Sequence, residues 1–80
     1  MNKKKNPKLV AIGEIIRSYR LETGLSQEAF AVQVGIDRSY YGSVERGERN
    51  IAVLNLIRIA STLNREVGDL FPPIDKLHNL

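Results

Sequence analysis

The stretch Leu25–Asn50, LSQEAFAVQVGIDRSYYGSVERGERN, decides the fold. It holds two short helices. Ser26 is a helix-capping residue, with Glu28 in the positively polarised first turn behind it. Leu25 and Phe30 stand at the spacing of a hydrophobic staple. Phe30 and Val34 make an inward face with Ala31 beside it, and Gly35 closes the helix. Asp37 then caps a second helix, in which Ile36 and Tyr41 repeat the staple, Tyr41 and Val44 face inward, and Gly47 ends the run. The outward side of this second helix carries Arg38, Ser39, Gly42, Ser43 and Arg46. A solvated face would be rich in Lys and Glu. Small, hydrogen-bonding side chains imply instead that another molecule lies against it.

The rest of the chain builds outward from this pair. Upstream, Ile12, Ile16 and Tyr19 recur at helical spacing, flanked by Leu9, Ile15 and Thr23, and Gly24 closes that helix. Downstream, a fourth helix is expected over about Ala52 to Leu63. Asn50 is the candidate cap, since Ala52 cannot serve. A short fifth helix, REVGDLF, stops at Pro72-Pro73. The tail IDKLHNL is left open as ordered or not. No strand alternation, hairpin dipeptide or internal repeat occurs. The fold reads as all-α, about five short helices. The expected division is a flexible basic arm over 1–8, one domain over 9–71 and a tail over 72–80.

Composition narrows the function. With 80 residues the chain makes one domain, of a size that buries only about 60% of its unfolded surface. There is no cysteine and a single histidine, His78, so neither a disulfide nor a Cys/His metal site is expected. No apolar run approaches the roughly 20 residues of a membrane span. The basic start MNKKKNPK leads into a charged, periodic segment rather than a continuous apolar one. A soluble, cytoplasmic protein is expected. The net charge of +3 favours a polyanionic partner. Catalysis is not expected: the lone His, the missing phosphate-cradling glycine loop and the scattered Glu14, Glu22 and Glu28 supply no reactive cluster. No cofactor is expected either.

Two short helices joined through a glycine, with a small residue four positions before it, describe a helix-turn-helix. Ala31 is small because the second helix crosses the first there. Gly35 stands where the chain reverses, and a left-handed backbone costs it least. IGEIIRSYRLETGLSQEAFAVQVGIDRSYYGSVERGERN resembles the DNA-binding domain of phage-repressor, Cro-type and Xre-like regulators, a lambda-repressor-like fold. The resemblance runs from about Leu9 to Phe71. The combination of R..R...G.SQ with S.Y...ERG.RN carries it.

The resemblance implies that the second motif helix enters the major groove of double-stranded DNA. Arg38, Ser39, Tyr40 and Ser43 are then the candidate base readers. Arg38 leads them, since a guanidinium binds guanine O6 and N7 bidentately. Tyr40 is balanced between the groove and partial core packing. Ser26 and Gln27, at a helix N-terminus that favours anions, are candidate phosphate contacts, as are Arg46, Arg49 and Asn50. Solvated polar residues are the plain alternative. Arg20 and Glu45 match a structural ion pair of the family. Gly42 departs from the family pattern, which often has serine or a longer residue there. The basic arm either lies along phosphates or is solvated.

The family implies a homodimer on a pseudo-palindrome, with RNA polymerase admitted as a further partner. Ile51, Leu54 and Ile57 are apolar beyond the Val53, Leu56, Ile59 and Leu63 set that one domain buries, so they are the candidate dimer surface. The alternative is that Ile74, Leu77 and Leu80 of the tail cover them. No second domain for an inducer or self-cleavage is expected. The controller proteins of restriction–modification systems are the subgroup that DRSYYGSVERGERN resembles most. The competing class is an antitoxin or other protein-interaction module on the same fold.

Overall fold

The computed structural model of the chain describes residues 5–80. Five α-helices and one 3-10 turn follow one another: α1 (Pro7–Thr23), α2 (Gln27–Val34), α3 (Arg38–Glu45), α4 (Val53–Thr62), the turn Val67–Leu70 and α5 (Ile74–His78). No strand occurs among the described residues.

α1 starts at Pro7, inside the span expected to be a flexible arm. Asn6 is the reason: its Oδ1 accepts the Lys8 N–H at 2.9 Å, and Pro7 occupies the first turn, where its missing N–H costs nothing. Residues 1–4 of that arm lie outside the described residues. Ser26 and Asp37 cap α2 and α3 as expected, accepting the N–H groups of Ala29 at 3.1 Å and Tyr40 at 3.0 Å. Gly35 adopts φ 85° between them, and its N–H and that of Ile36 both reach the Ala31 carbonyl.

The core joins Ile12 and Ile16 of α1, Phe30, Ala31 and Val34 of α2, Tyr41 and Val44 of α3, Leu56, Ile59 and Ala60 of α4, and Leu70. Phe30 and Tyr41 stack at a tilt of 56° with centroids 5.2 Å apart. α1 and α2 both pack on α3, which fixes its axis. The closest approach is at Gly13. A Cβ there would stand 2.5 Å from the carbonyl oxygens of both Val44 and Glu45.

Four expectations are corrected. Asn50 does not cap α4. Ala52 holds the cap position without a side-chain bond, and its N–H is taken by the Tyr40 hydroxyl at 3.2 Å. Val53 is 69% exposed rather than buried. It begins α4, and only from Leu56 onward does the helix lie over the core. Ile51, expected on a dimer surface, is half-buried and packs against the core. The segment REVGDLF forms a single 3-10 turn, bounded by reciprocal capping between Glu66 and Asp69. Phe71 precedes Pro72 and is extended at φ −114°, ψ 146°, so no longer helix can form there.

Candidate nucleic-acid interface

α3 presents its N-terminal turn to solvent. Arg38 and Ser39 are exposed. The Arg38 Nη1 lies 3.6 Å from Glu28 Oε2 across the turn, with both side chains about two-thirds exposed (66% and 68%). Solvent screening leaves such a pair little strength, so the guanidinium is available to a ligand.

The other two candidate readers point elsewhere. Ser43 is only 8% exposed, and its hydroxyl donates to the Tyr40 carbonyl at 2.6 Å. Tyr40 is half-buried against the core and its hydroxyl serves Ala52. Both are drawn in because α3 is short and packs against its neighbours on a wide face, which also encloses Gly42. Tyr40 and Ser43 instead locate Arg49. Its guanidinium lies 5.2 Å from the Tyr40 ring centroid, and its Nε donates to Ser43 Oγ at 3.5 Å. A polar, aromatic seat thus holds a cation at the loop that follows α3.

A buried network fixes the other flank. Arg20 Nε and Nη2 donate to the two carboxylate oxygens of Glu45 at 2.6 and 3.1 Å. Arg20 Nη1 also reaches the Leu25 carbonyl at 2.8 Å. Tyr41 donates its hydroxyl to Glu45 Oε2. Gln27 Nε2 donates to Glu45 Oε1 at 2.8 Å. Burial opposes ionisation of Glu45, but the bonds from Arg20, Tyr41 and Gln27 outweigh it and hold the carboxyl below its usual range. The bond to Glu45 raises the Arg20 guanidinium further. Burial, and then the bond to Glu45, pushes the Tyr41 phenol up.

Gln27 therefore stands at the start of α2 with one amide hydrogen engaged and one left over. It lines an open cleft of about 370 Å³ together with Arg17, Arg20, Glu45 and Arg46. Arg46 is held at Nε by Glu48 at 3.0 Å, and Lys5 meets the same carboxylate at 3.5 Å. The Arg46 bond lowers the Glu48 carboxyl. Ser26 uses its oxygen as the α2 cap, and Asn50 is exposed. Gln27 and Arg46 are thus brought together, whereas Asn50 and Arg49 stand apart from that cleft. Arg17 was given no role from sequence. Its signal was its spacing of three from Arg20, which sets both near one face of α1.

Among the described residues no group of three or more His, Cys, Asp or Glu side chains could hold a metal ion. No helix there is long and apolar enough to cross a membrane. What the surface offers is a helix turn carrying an arginine and a serine, with cationic hydrogen-bonding groups on either side. That is the layout of a helix-turn-helix that meets its ligand with its second helix.

The helix-turn-helix family matches residues 16–70, and the chain belongs to that family of transcriptional regulators. It is 41% identical over 68 residues to the control protein C.MunI from a Mycoplasma species, covering 84% of this chain and 92% of that one. It is 48% identical over 59 residues to the control protein C.SmaI from Serratia marcescens, covering 74% and 70%. Among solved structures, the restriction–modification controller protein C.AhdI from Aeromonas hydrophila superposes with a TM-score of 0.80 at 44% identity, over 82% of this chain and all of that one.

Proposed function

We propose that the chain reads double-stranded DNA in a sequence-specific manner as a homodimer, with α3 in the major groove and one half-site for each copy. The observation that carries this reading is the exposed N-terminal turn of α3 with Arg38 and Ser39. A capped, firmly packed helix delivers these two side chains at its free end. Gln27 and Arg46 on one side, and Arg49 on the other, supply phosphate contacts that fix register without reading sequence. Tyr40 and Ser43 act through Arg49 rather than on bases.

α4 supports the homodimer. Val53, Leu54 and Ile57 are 69%, 73% and 46% exposed on neighbouring positions of one helix. Scattered apolar residues on a surface are ordinary, but a cluster on one helix is the usual mark of a partner. The tail leaves this cluster uncovered, and Ile74 itself is 78% exposed. A second copy, related by a two-fold axis, would bury the face and place two α3 helices on one side of the DNA.

The likeness to control proteins over most of their length supports a narrower role, that of a restriction–modification controller acting in the cytoplasm on its own promoter. RNA polymerase is the second partner which that role implies. A titration of purified protein against the duplex upstream of its own coding sequence, with unrelated duplex as competitor, tests this. A complex that survives excess competitor is expected. Equal competition by both duplexes would overturn the specific reading.

A further inference from the structure

Gly42 lies inside α3, where alanine makes the more stable helix. Its backbone gives no reason for a glycine, since the glycines at positive φ are Gly24, Gly35 and Gly47. Space is the remaining reason. A Cβ at Gly42 would stand 3.0 Å from Arg46 Nη1 and 3.3 Å from Gln27 Oε1, and the next atom is again of Arg46, Cζ at 3.9 Å. These three nearest atoms all belong to the tips of side chains. At Gly13, by contrast, the obstacle is backbone. The packing of the fold therefore does not demand a glycine at 42, but the meeting of these two tips does.

Both tips are also braced from behind. Glu45 holds the Gln27 amide at 2.8 Å, and Glu48 holds Arg46 Nε at 3.0 Å. Each retains unused donors: one amide hydrogen on Gln27 and the terminal nitrogens of Arg46. Over Gly42 the two side chains meet through Arg46 Nη1, a donor, and Gln27 Oε1, an acceptor, and the free hydrogen of Gln27 sits on the Nε2 of that same amide.

We propose that Gly42 is a positioning residue whose missing side chain lets Gln27 and Arg46 close together on a single DNA phosphate. This rests on the reading of Gln27 and Arg46 as phosphate contacts. An alanine methyl at 42 would push the two tips apart by a few tenths of an ångström or more. The helix would lose nothing, and the clamp would lose its geometry.

The test compares Gly42→Ala, Gln27→Ala, Arg46→Ala and the double variant Gly42→Ala/Arg46→Ala. Binding to a mixed-sequence duplex is followed across a salt series, beside thermal melting of each protein. Gly42→Ala is expected to melt at or above the parent temperature yet bind several-fold more weakly. Its salt slope should be shallower by about 1, the signature of one lost phosphate contact. In the double variant it should add no loss beyond that of Arg46→Ala. Parent-like binding by Gly42→Ala, while Gln27→Ala and Arg46→Ala bind weakly, would overturn the role of Gly42 and leave the clamp standing. Additive losses, or a lower melting temperature for Gly42→Ala, would overturn it too. Parent-like binding by Gln27→Ala and Arg46→Ala would instead remove the phosphate reading beneath it.

Discussion

Arg20 of α1 and Glu45 at the end of α3 form a buried, two-point ion pair, Nε to Oε2 at 2.6 Å and Nη2 to Oε1 at 3.1 Å. Their side chains are 8% and 1% exposed. The pair ties the first helix to the last turn of the helix proposed to meet DNA. It also sets Gln27, which shares the same carboxylate. Removing one partner strands the other in the interior. Glu45→Ala should cost about 3–5 kcal/mol, the range for breaking a buried pair from one side. Urea denaturation measures it, and a loss below about 1 kcal/mol would mean that water replaces the carboxylate freely.

Glu45 also sets the acid limb of stability. Its folded carboxyl lies below the usual range because Arg20, Tyr41 and Gln27 overcome the opposing effect of burial. The unfolded value is about 4.3. Below that value, and down to the folded one, the unfolded chain binds the extra proton. The contribution is therefore complete above the unfolded pKa and fades as pH falls through the folded pKa. Glu45→Gln should lower stability at neutral pH and flatten this fall. Urea midpoints between about pH 3 and 7 would show it; parallel acid limbs in parent and variant would assign the slope to other carboxylates.

Arg38 is the sharpest test of base reading. Arg38→Ala should weaken operator binding by about 1–3 kcal/mol and relax preference at one base pair. Its exposure predicts no change in melting temperature. Competition with operator duplexes substituted one pair at a time measures the relaxation. An equal loss on every sequence would make Arg38 a phosphate contact.

Leu54 and Ile57 test the homodimer. Neither supports the fold of one copy, since they are 73% and 46% exposed. Leu54→Glu with Ile57→Glu should leave the helical spectrum intact, shift sedimentation to the monomer and abolish tight binding to a two-half-site operator. An unchanged dimer would place the two-fold contact elsewhere.

Gly13 and Gly42 should respond to alanine with opposite signs in stability. A methyl at Gly13 strikes the carbonyls of Val44 and Glu45 at 2.5 Å, and backbone cannot swing aside. Gly13→Ala should destabilise by about 1–3 kcal/mol, as overpacking does. Thermal melting decides, and a neutral result would mean that α1 and α3 slide apart without cost.

Much of this was legible in the sequence because local chemistry dictated it. Ser26, Asp37 and Gly35 write the two helices and their turn, and Phe30, Ala31, Tyr41 and Val44 supply the inward faces. Ser43 was misread, and the choice left open at Tyr40 falls to partial core packing, because helical periodicity gives a direction, not a depth. α3 is enclosed around much of its circumference, so positions that a helical wheel turns outward end up covered. Tyr40 is then engaged by Ala52 twelve positions away, a contact that no local pattern announces. Val53 and Ile51 exchanged expected roles because the start of α4 depends on that same distant hydroxyl. Gly13 gave no local signal at all, and Arg17 only its spacing of three from Arg20. Their meaning lies in what crosses them.

The most direct measurement is selection from a random duplex pool by the purified protein at fixed, near-physiological salt. Enrichment of a pseudo-palindrome with half-sites about one helical turn apart is the expected result, because two α3 helices related by a dimer axis would meet successive major grooves. An unenriched pool, bound only weakly and lost as salt rises, would contradict the claim that this helix reads sequence.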